Sequence, residues 1–180
     1  MATLTATGQD RFHQYFDPFP TGFVYAKAEK EDFLQKAQRD VCAVLLETIQ
    51  GEGGVVPLDP EFLQAVEAFC KENDVLLIID EVQTGIGRTG AFFSYQALGL
   101  SPDIVTSAKG LGGGLPIGAT LFAEKCVDSL GKGDHGSTYG GNPIAVAGAL
   151  AVLHELTEEF LQDVSKKGEF LKEKLLSLPQ

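Results

Sequence analysis

Apolar residues along the chain fall into two spacings. Residues 41–46, 75–79, 104–106 and 117–122 are short aliphatic runs bounded by polar or glycine-rich segments. That is the pattern of strands in a sheet covered on both faces. Elsewhere the spacing changes to three and four. Residues 30–37 place Phe33, Leu34 and Ala37 on one side of a short helix. Asp59-Pro60 reads as an N-cap followed by proline in the first turn. Phe62, Leu63, Val66, Phe69 and Cys70 then predict an amphipathic helix over 60–72. Asn142-Pro143 repeats the cap signal before a helix that reaches about residue 156. Thr157 is a further N-cap candidate, and Phe160, Leu161, Val164, Leu171 and Leu175 carry a helical stripe onward, with Gly168 weakening its middle. The first 25 residues are aromatic and interrupted by proline and glycine, so they read as an irregular packed loop. Strands alternating with helices predict an α/β fold, a mostly parallel sheet with flanking helices.

Composition narrows the partners. With 180 residues, 44% hydrophobic and 22% charged, the chain has the make-up of one globular domain with a sizeable core. Basic residues number 14 against 25 acidic ones, a formal net charge of -11. Such a surface repels nucleic acid and anionic lipid, so no nucleic acid and no membrane partner is expected. The longest apolar stretch, 143–153, is too short to cross a bilayer. No basic start leads into an apolar segment, so no signal peptide is expected. Cys42, Cys70 and Cys126 are odd in number, widely spaced and set among apolar residues. They read as reduced core cysteines of a cytoplasmic protein, and no metal site is expected. The chain opens in a loop and stops in a helix, as the interior of a larger fold would.

The chemistry gathers after the strands. In an open α/β sheet, ligands bind beyond the carboxyl ends of the strands. The first strand runs into Glu47-Thr48-Ile49-Gln50-Gly51-Glu52-Gly53-Gly54. The second runs into Asp80-Glu81-Val82-Gln83-Thr84-Gly85, and the third into Ser107-Ala108-Lys109-Gly110. If these strands are neighbours, Asp80, Gln83 and Lys109 converge on one crevice. An apolar strand ending in Asp-Glu also occurs in nucleotide triphosphatases, but the phosphate loop that reading requires is absent. Lys109 lies between Ala108 and Gly110, which leave room for a ligand to approach. A partly desolvated amine there has a lowered pKa and can attack a carbonyl. A carboxylate on the neighbouring strand end can hold a protonated pyridine nitrogen. A lysine that bonds an aldehyde and an acidic partner for the ring are together the requirements of pyridoxal phosphate.

The stretches 77–90, 102–110, 135–143 and 47–54 resemble, in order and spacing, class III pyridoxal-phosphate-dependent aminotransferases. Members acting on terminal amines such as those of acetylornithine and ornithine are the most alike. The resemblance implies a partial large domain of a fold-type I transferase over residues 1–156, with 157–180 leading into a C-terminal domain. It implies transfer of an amino group from an amino donor to a 2-oxo acid such as 2-oxoglutarate. Lys109 matches the lysine that bonds the cofactor aldehyde and later moves a proton. Asp80 matches the partner of the ring nitrogen, Val82 the apolar residue under the ring, and Gln83 the residue near its phenolic oxygen. Ser137 and Thr138 match hydroxyls that reach the cofactor phosphate of the neighbouring subunit, which implies a homodimer. Glu52 matches a glutamate that pairs with an active-site arginine on the substrate side, with Glu47 beside it. Arg88 is expected to anchor its glycine-rich loop. Family members are longer at both ends, and their phosphate-gripping loop and substrate-binding arginines have no counterpart here. An ornithine or other ω-amine donor, and a catalytically inactive fragment or partner subunit, stay open as alternatives.

Overall fold

The computed structural model describes residues 1–37 and 40–178. A four-stranded sheet in the order β1-β4-β5-β6 forms its centre. β1 (Ala43–Leu46), β4 (Leu76–Asp80) and β5 (Ile104–Ser107) are parallel, and β6 (Ala119–Phe122) runs antiparallel to β5. The predicted α/β architecture is therefore present, parallel except at one edge. Between β1 and β4 the chain makes a two-residue-deep hairpin, β2 (Ile49–Gln50) with β3 (Val56–Pro57), that the sequence reading did not include.

The helix on this side of the sheet starts where its cap predicts. In α3 (Pro60–Glu72) the Asp59 side chain accepts from the backbone N–H groups of Glu61 at 2.7 Å and Phe62 at 3.3 Å, and Pro60 occupies the first turn. These bonds satisfy amides that the first turn leaves without partners. Its apolar stripe packs Leu63, Val66 and Cys70 against Val75, Leu77 and Ile79 of the β4 region, all nearly or fully buried. α2 (Lys30–Lys36) adds Phe33, whose ring meets Phe62 and Phe69 edge-on at 6.1 and 5.3 Å. Behind β4, Asp103 ties the sheet from outside: its carboxylate accepts from Leu77 N at 2.8 Å and pairs with Lys125 Nζ at 2.9 Å.

Other expectations are corrected. Residues 41–46 do not form a strand covered on both faces: β1 is an edge strand and Leu45 is 47% exposed. The run 117–122 shortens to β6, the other edge strand, with every residue exposed. The first 25 residues are not irregular throughout, since α1 (Ala2–Ala6) opens them and a 3-10 turn spans Asp10–Phe12. Tyr25 Oη donates to Thr5 O at 2.5 Å and holds that helix against the loop. A short α4 (Ser94–Ala97) follows the glycine-rich loop after β4. α5 (Pro143–Glu155) and α6 (Glu158–Leu176) begin at Asn142 and Thr157, whose side chains accept from Ala145 N at 3.0 Å and Phe160 N at 3.2 Å. Gly168 does not interrupt α6. Cys70 and Cys126 are buried, whereas Cys42 is exposed and not a core residue; all three are free.

Candidate active site

Because β1, β4 and β5 are parallel, their carboxyl ends share one edge of the sheet. Glu47 follows β1, Asp80 ends β4, and Lys109 lies just beyond β5. The register pairs Asp80 with Thr106, so these side chains are neighbours on one face. Thr106 Oγ1 donates to Asp80 Oδ1 at 2.9 Å, and Val82 N donates to the same oxygen at 2.9 Å. Both bonds fall on Oδ1; among the described residues none donates to Oδ2 of Asp80, which lines the cleft.

Lys109 opens a 3-10 turn, Lys109–Gly112, and has φ of 45°. A non-glycine residue in the left-handed region carries strain and persists only where the surroundings impose it. Here Ser107 is pinned in the β5–β6 ladder and Leu111 N closes the turn on Ala108 O at 3.0 Å. The ammonium is presented outward, where Lys109 Nζ donates to Gln83 Oε1. Lys109 is exposed, not desolvated as its small neighbours suggested. The lysine is a strained, positioned amine rather than a buried one.

Across from it stands the turn after β1. Gly51 N donates to Glu47 Oε2 at 2.8 Å, which curls the turn over its own glutamate. Gly51 closes on Gln83: a Cβ there would lie 2.8 Å from Gln83 Cγ, so a side chain at 51 would have to displace that of Gln83. The result is a cleft of about 130 Å³ lined by Glu47, Gly51, Glu52, Asp80, Val82, Gln83 and Lys109. Six of the eight residues singled out from the sequence line it. Ser137 and Thr138 do not: they sit in an exposed segment before α5, where Ser137 Oγ accepts from Gly140 N at 3.2 Å. Arg88 is exposed. Backbone bonds hold its loop, from Gly87 N to Phe92 O at 3.2 Å and from Gly90 N to Gly87 O at 3.1 Å.

Three contributors were not found from the sequence. Thr106 orients Asp80, and only strand register reveals it. Arg11 pairs with Glu52 at 3.1 Å from 41 residues away, with both side chains largely exposed. Glu81 is fully buried behind the cleft; its signal was an acidic residue continuing an apolar strand. Among the described residues no group of His, Cys, Asp and Glu could hold a metal ion, and no helix is long and apolar enough to cross a membrane.

Known proteins share this sequence pattern and fold. Residues 1–180 match the aminotransferase class-III family. The acetylornithine aminotransferase of Haemophilus ducreyi is 56% identical over 181 residues, 99% of this chain and 46% of that enzyme. That of Bacillus subtilis is 49% identical, over 97% of this chain and 46% of that enzyme. Among solved structures, an ornithine aminotransferase from Toxoplasma gondii, described as having partial occupancy of PLP at its active site, superposes with a TM-score of 0.81. It is 35% identical and covers 90% of this chain and 38% of that one. N-acetylornithine aminotransferase from Stenotrophomonas maltophilia gives a TM-score of 0.73 at 40% identity, covering 83% of this chain and 39% of that one. The chain thus spans about half the length of the curated relatives it matches. With the family match along its whole length and identities near one half, the chain belongs to the class-III aminotransferases.

Proposed function

We propose that this chain carries the lysine side of a pyridoxal-phosphate-dependent aminotransferase site. The reaction moves the terminal amino group of N-acetylornithine to 2-oxoglutarate. The observation that carries the reading is the meeting of Lys109, Gln83, Asp80 and Val82 in one cleft, with Glu47 and Glu52 on its far rim. The names of the relatives support the donor; the ornithine aminotransferase neighbour supports ornithine as the second choice.

The donor set fits the cofactor's ring end. A primary amine, a carboxylate oxygen without a donor of its own and an apolar side chain lie on adjacent strand ends. When bound, pyridoxal phosphate supplies an aldehyde for the amine and an electron sink in its protonated ring. Asp80, oriented by Thr106 and Val82 N, would keep the cofactor's ring nitrogen protonated. Gln83 keeps the Lys109 amine at the mouth of the cleft. Lys109 Nζ would hold the cofactor at its aldehyde and, as a free amine, would carry the proton at the amine-bearing carbon of the substrate. Val82 would exclude water from the apolar part of the cleft. Glu52, with Glu47 beside it, faces the substrate; a cation on the substrate side is attracted there, and Arg11 competes for the same carboxylate.

The phosphate is a different matter. The cleft has Glu47, Glu52 and Asp80 against one cation, Lys109, which does not suit an anion. Ser137 and Thr138, near the capped start of α5, are assigned to the phosphate bound by a second copy of the chain. That assignment makes a homodimer the working form. Three free cysteines support a reducing, cytoplasmic setting.

The test is covalent trapping. The chain is incubated with pyridoxal phosphate, reduced with borohydride and digested, and pyridoxyl-lysine is located by mass spectrometry. One adduct per chain at Lys109, absent in Lys109→Ala, is expected. Adducts scattered over surface lysines, unchanged in Lys109→Ala, contradict the proposal.

A further inference from the structure

Behind the cleft lies a carboxylate that the proposed chemistry does not use. Glu81 follows Asp80 directly, and alternate positions of an extended chain point to opposite sides. Asp80 lines the cleft, while Glu81 is 0% exposed. Thr84 Oγ1 donates to its Oε2 at 2.6 Å, and Ser94 Oγ and Tyr95 N donate to its Oε1 at 2.7 and 2.9 Å. Ser94 Oγ also contacts Thr48 Oγ1. Thr48, Thr84 and Ser94 are themselves buried, at 1%, 3% and 4%.

The direction of these bonds follows from the donors available. An ionised carboxylate only accepts. Ser94 has one hydroxyl proton and gives it to Glu81, so Thr48 must donate to Ser94. The chain of bonds therefore runs from Thr48 through Ser94 to Glu81, where Thr84 and Tyr95 also end. All of these partners are neutral. A buried charge without hydrogen bonds is costly, and the concentration of donors on one side chain is the compensation. The negative charge is felt nearby: burial first, and Glu81 second, push the Tyr95 phenol up from its ordinary value.

The residues so joined have a common property. Thr48 follows Glu47 and precedes the turn that holds Gly51 and Glu52. Glu81 follows Asp80, and Thr84 follows Gln83. The two rims of the cleft touch in front, where Gly51 meets Gln83, and are tied behind through Glu81. We propose that Glu81 is a positioning residue, a buried carboxylate that clamps the 47–52 turn to the 80–84 loop and so sets the width of the cleft. The role given to that cleft rests on the reading under Proposed function; the clamp itself is a property of the folded chain.

Two measurements separate the clamp from the reading it rests on. The first needs no cofactor: hydrogen exchange of backbone amides in the wild-type chain, Glu81→Leu, Glu81→Gln, Thr48→Val and Ser94→Ala. Glu81→Leu is expected to lose protection in residues 47–54 and 81–85 together, while residues 60–72 keep theirs. If it loses 60–72 as well, it has unfolded, and Thr48→Val and Ser94→Ala decide by the same joint loss. The second is the rate of pyridoxyl labelling at Lys109. A slowing of about tenfold or more is expected in Glu81→Leu, the scale of one or two lost bonds to a charged group. Glu81→Gln, which keeps the shape and most of the bonds, is expected to stay within about threefold of wild type, a difference below 1 in the logarithm. A variant set in which both segments keep wild-type exchange, or only one loses it, overturns the clamp. Equal labelling rates in wild type and Glu81→Leu overturn it too. A wild-type chain that does not label at Lys109 overturns the pyridoxal phosphate reading and leaves the exchange data to decide the clamp.

Discussion

At the carboxyl ends of β1, β4 and β5 the cleft residues stand on a hydrogen-bonded sheet, and behind them Glu81, Thr48, Thr84 and Ser94 are buried. In residues 131–141, which hold Ser137 and Thr138, every residue is exposed. Under the proposed function both regions serve pyridoxal phosphate, but the first is built on buried residues while the second is held only by local bonds such as Gly140 N to Ser137 Oγ. The helices repeat the contrast. α3 buries most of its apolar stripe, with Leu63, Val66 and Cys70 at 2%, 0% and 3% exposure. α5 is apolar on nearly every side, yet only Ala145 and Ala149 are buried, while Ile144 is 74% and Leu150 51% exposed. A helix that is hydrophobic all round belongs in a core. α5 approaches the 109–115 segment closely at two places: a Cβ on Gly148 would lie 2.7 Å from Leu115 Cδ1, and one on Gly113 would lie 2.9 Å from Val152 Cγ2. The strand-end half of the molecule is self-supporting, and the half around α5 offers surface that asks for cover. A cleft preformed within the chain beside an exposed 131–141 segment is consistent with the proposal that the site is completed between two copies.

That contrast can be broken by mutation. Leu63→Ala is expected to cost about 2–5 kcal/mol in urea unfolding, as truncation in a closed core does. Leu171→Ala, on α6 and 58% exposed, is expected to stay within about 0.5 kcal/mol. Equal costs would mean that the α6 surface is covered in solution. Asp80→Asn removes the charge proposed to face the ring nitrogen. Bonds to charged groups contribute about 1.5–3 kcal/mol, so the dissociation constant for pyridoxal phosphate, read by absorbance titration, is expected to rise about tenfold to a hundredfold. An unchanged constant would detach Asp80 from the cofactor.

Thiol reactivity sharpens the comparison within the self-supporting half. Burial pushes the Cys70 thiol up to about 11, and the thiolate is the reactive form. At pH 8 Cys42 is expected to react fast with a thiol reagent while Cys70 stays silent. Cys70 gains reactivity only as pH rises toward 11. Prompt modification of Cys70 at pH 8 would mean that α3 opens. The smallest effect is assigned to Thr138→Val. Labelling of Lys109 in dilute chain is expected to stay within about twofold, as for other exposed positions, and to weaken only at concentrations where two copies associate.

How much of this could be read from the sequence follows physical lines. Caps and helical stripes are local, so Asp59, Asn142 and Thr157 located three helix starts. Parallel strands ending in polar motifs are also local signals, and they brought Glu47, Asp80, Gln83 and Lys109 to one edge. Register is not local. Thr106 became visible as the partner of Asp80 only once β4 and β5 were aligned. Edge position is not local either, which is why the 41–46 and 117–122 runs read as covered strands and are not. The exposure of Lys109 escaped for the same reason: small neighbours indicate room, and whether that room is filled depends on distant chain.

The most direct test of the central claim is chemical-shift mapping of the isotopically labelled chain as pyridoxal phosphate is added. The account predicts perturbations concentrated at residues 47–52, 80–84 and 106–110, saturating together with a single affinity. Perturbations spread over surface lysines such as Lys71 and Lys167, with the strand-end residues unmoved, would contradict it.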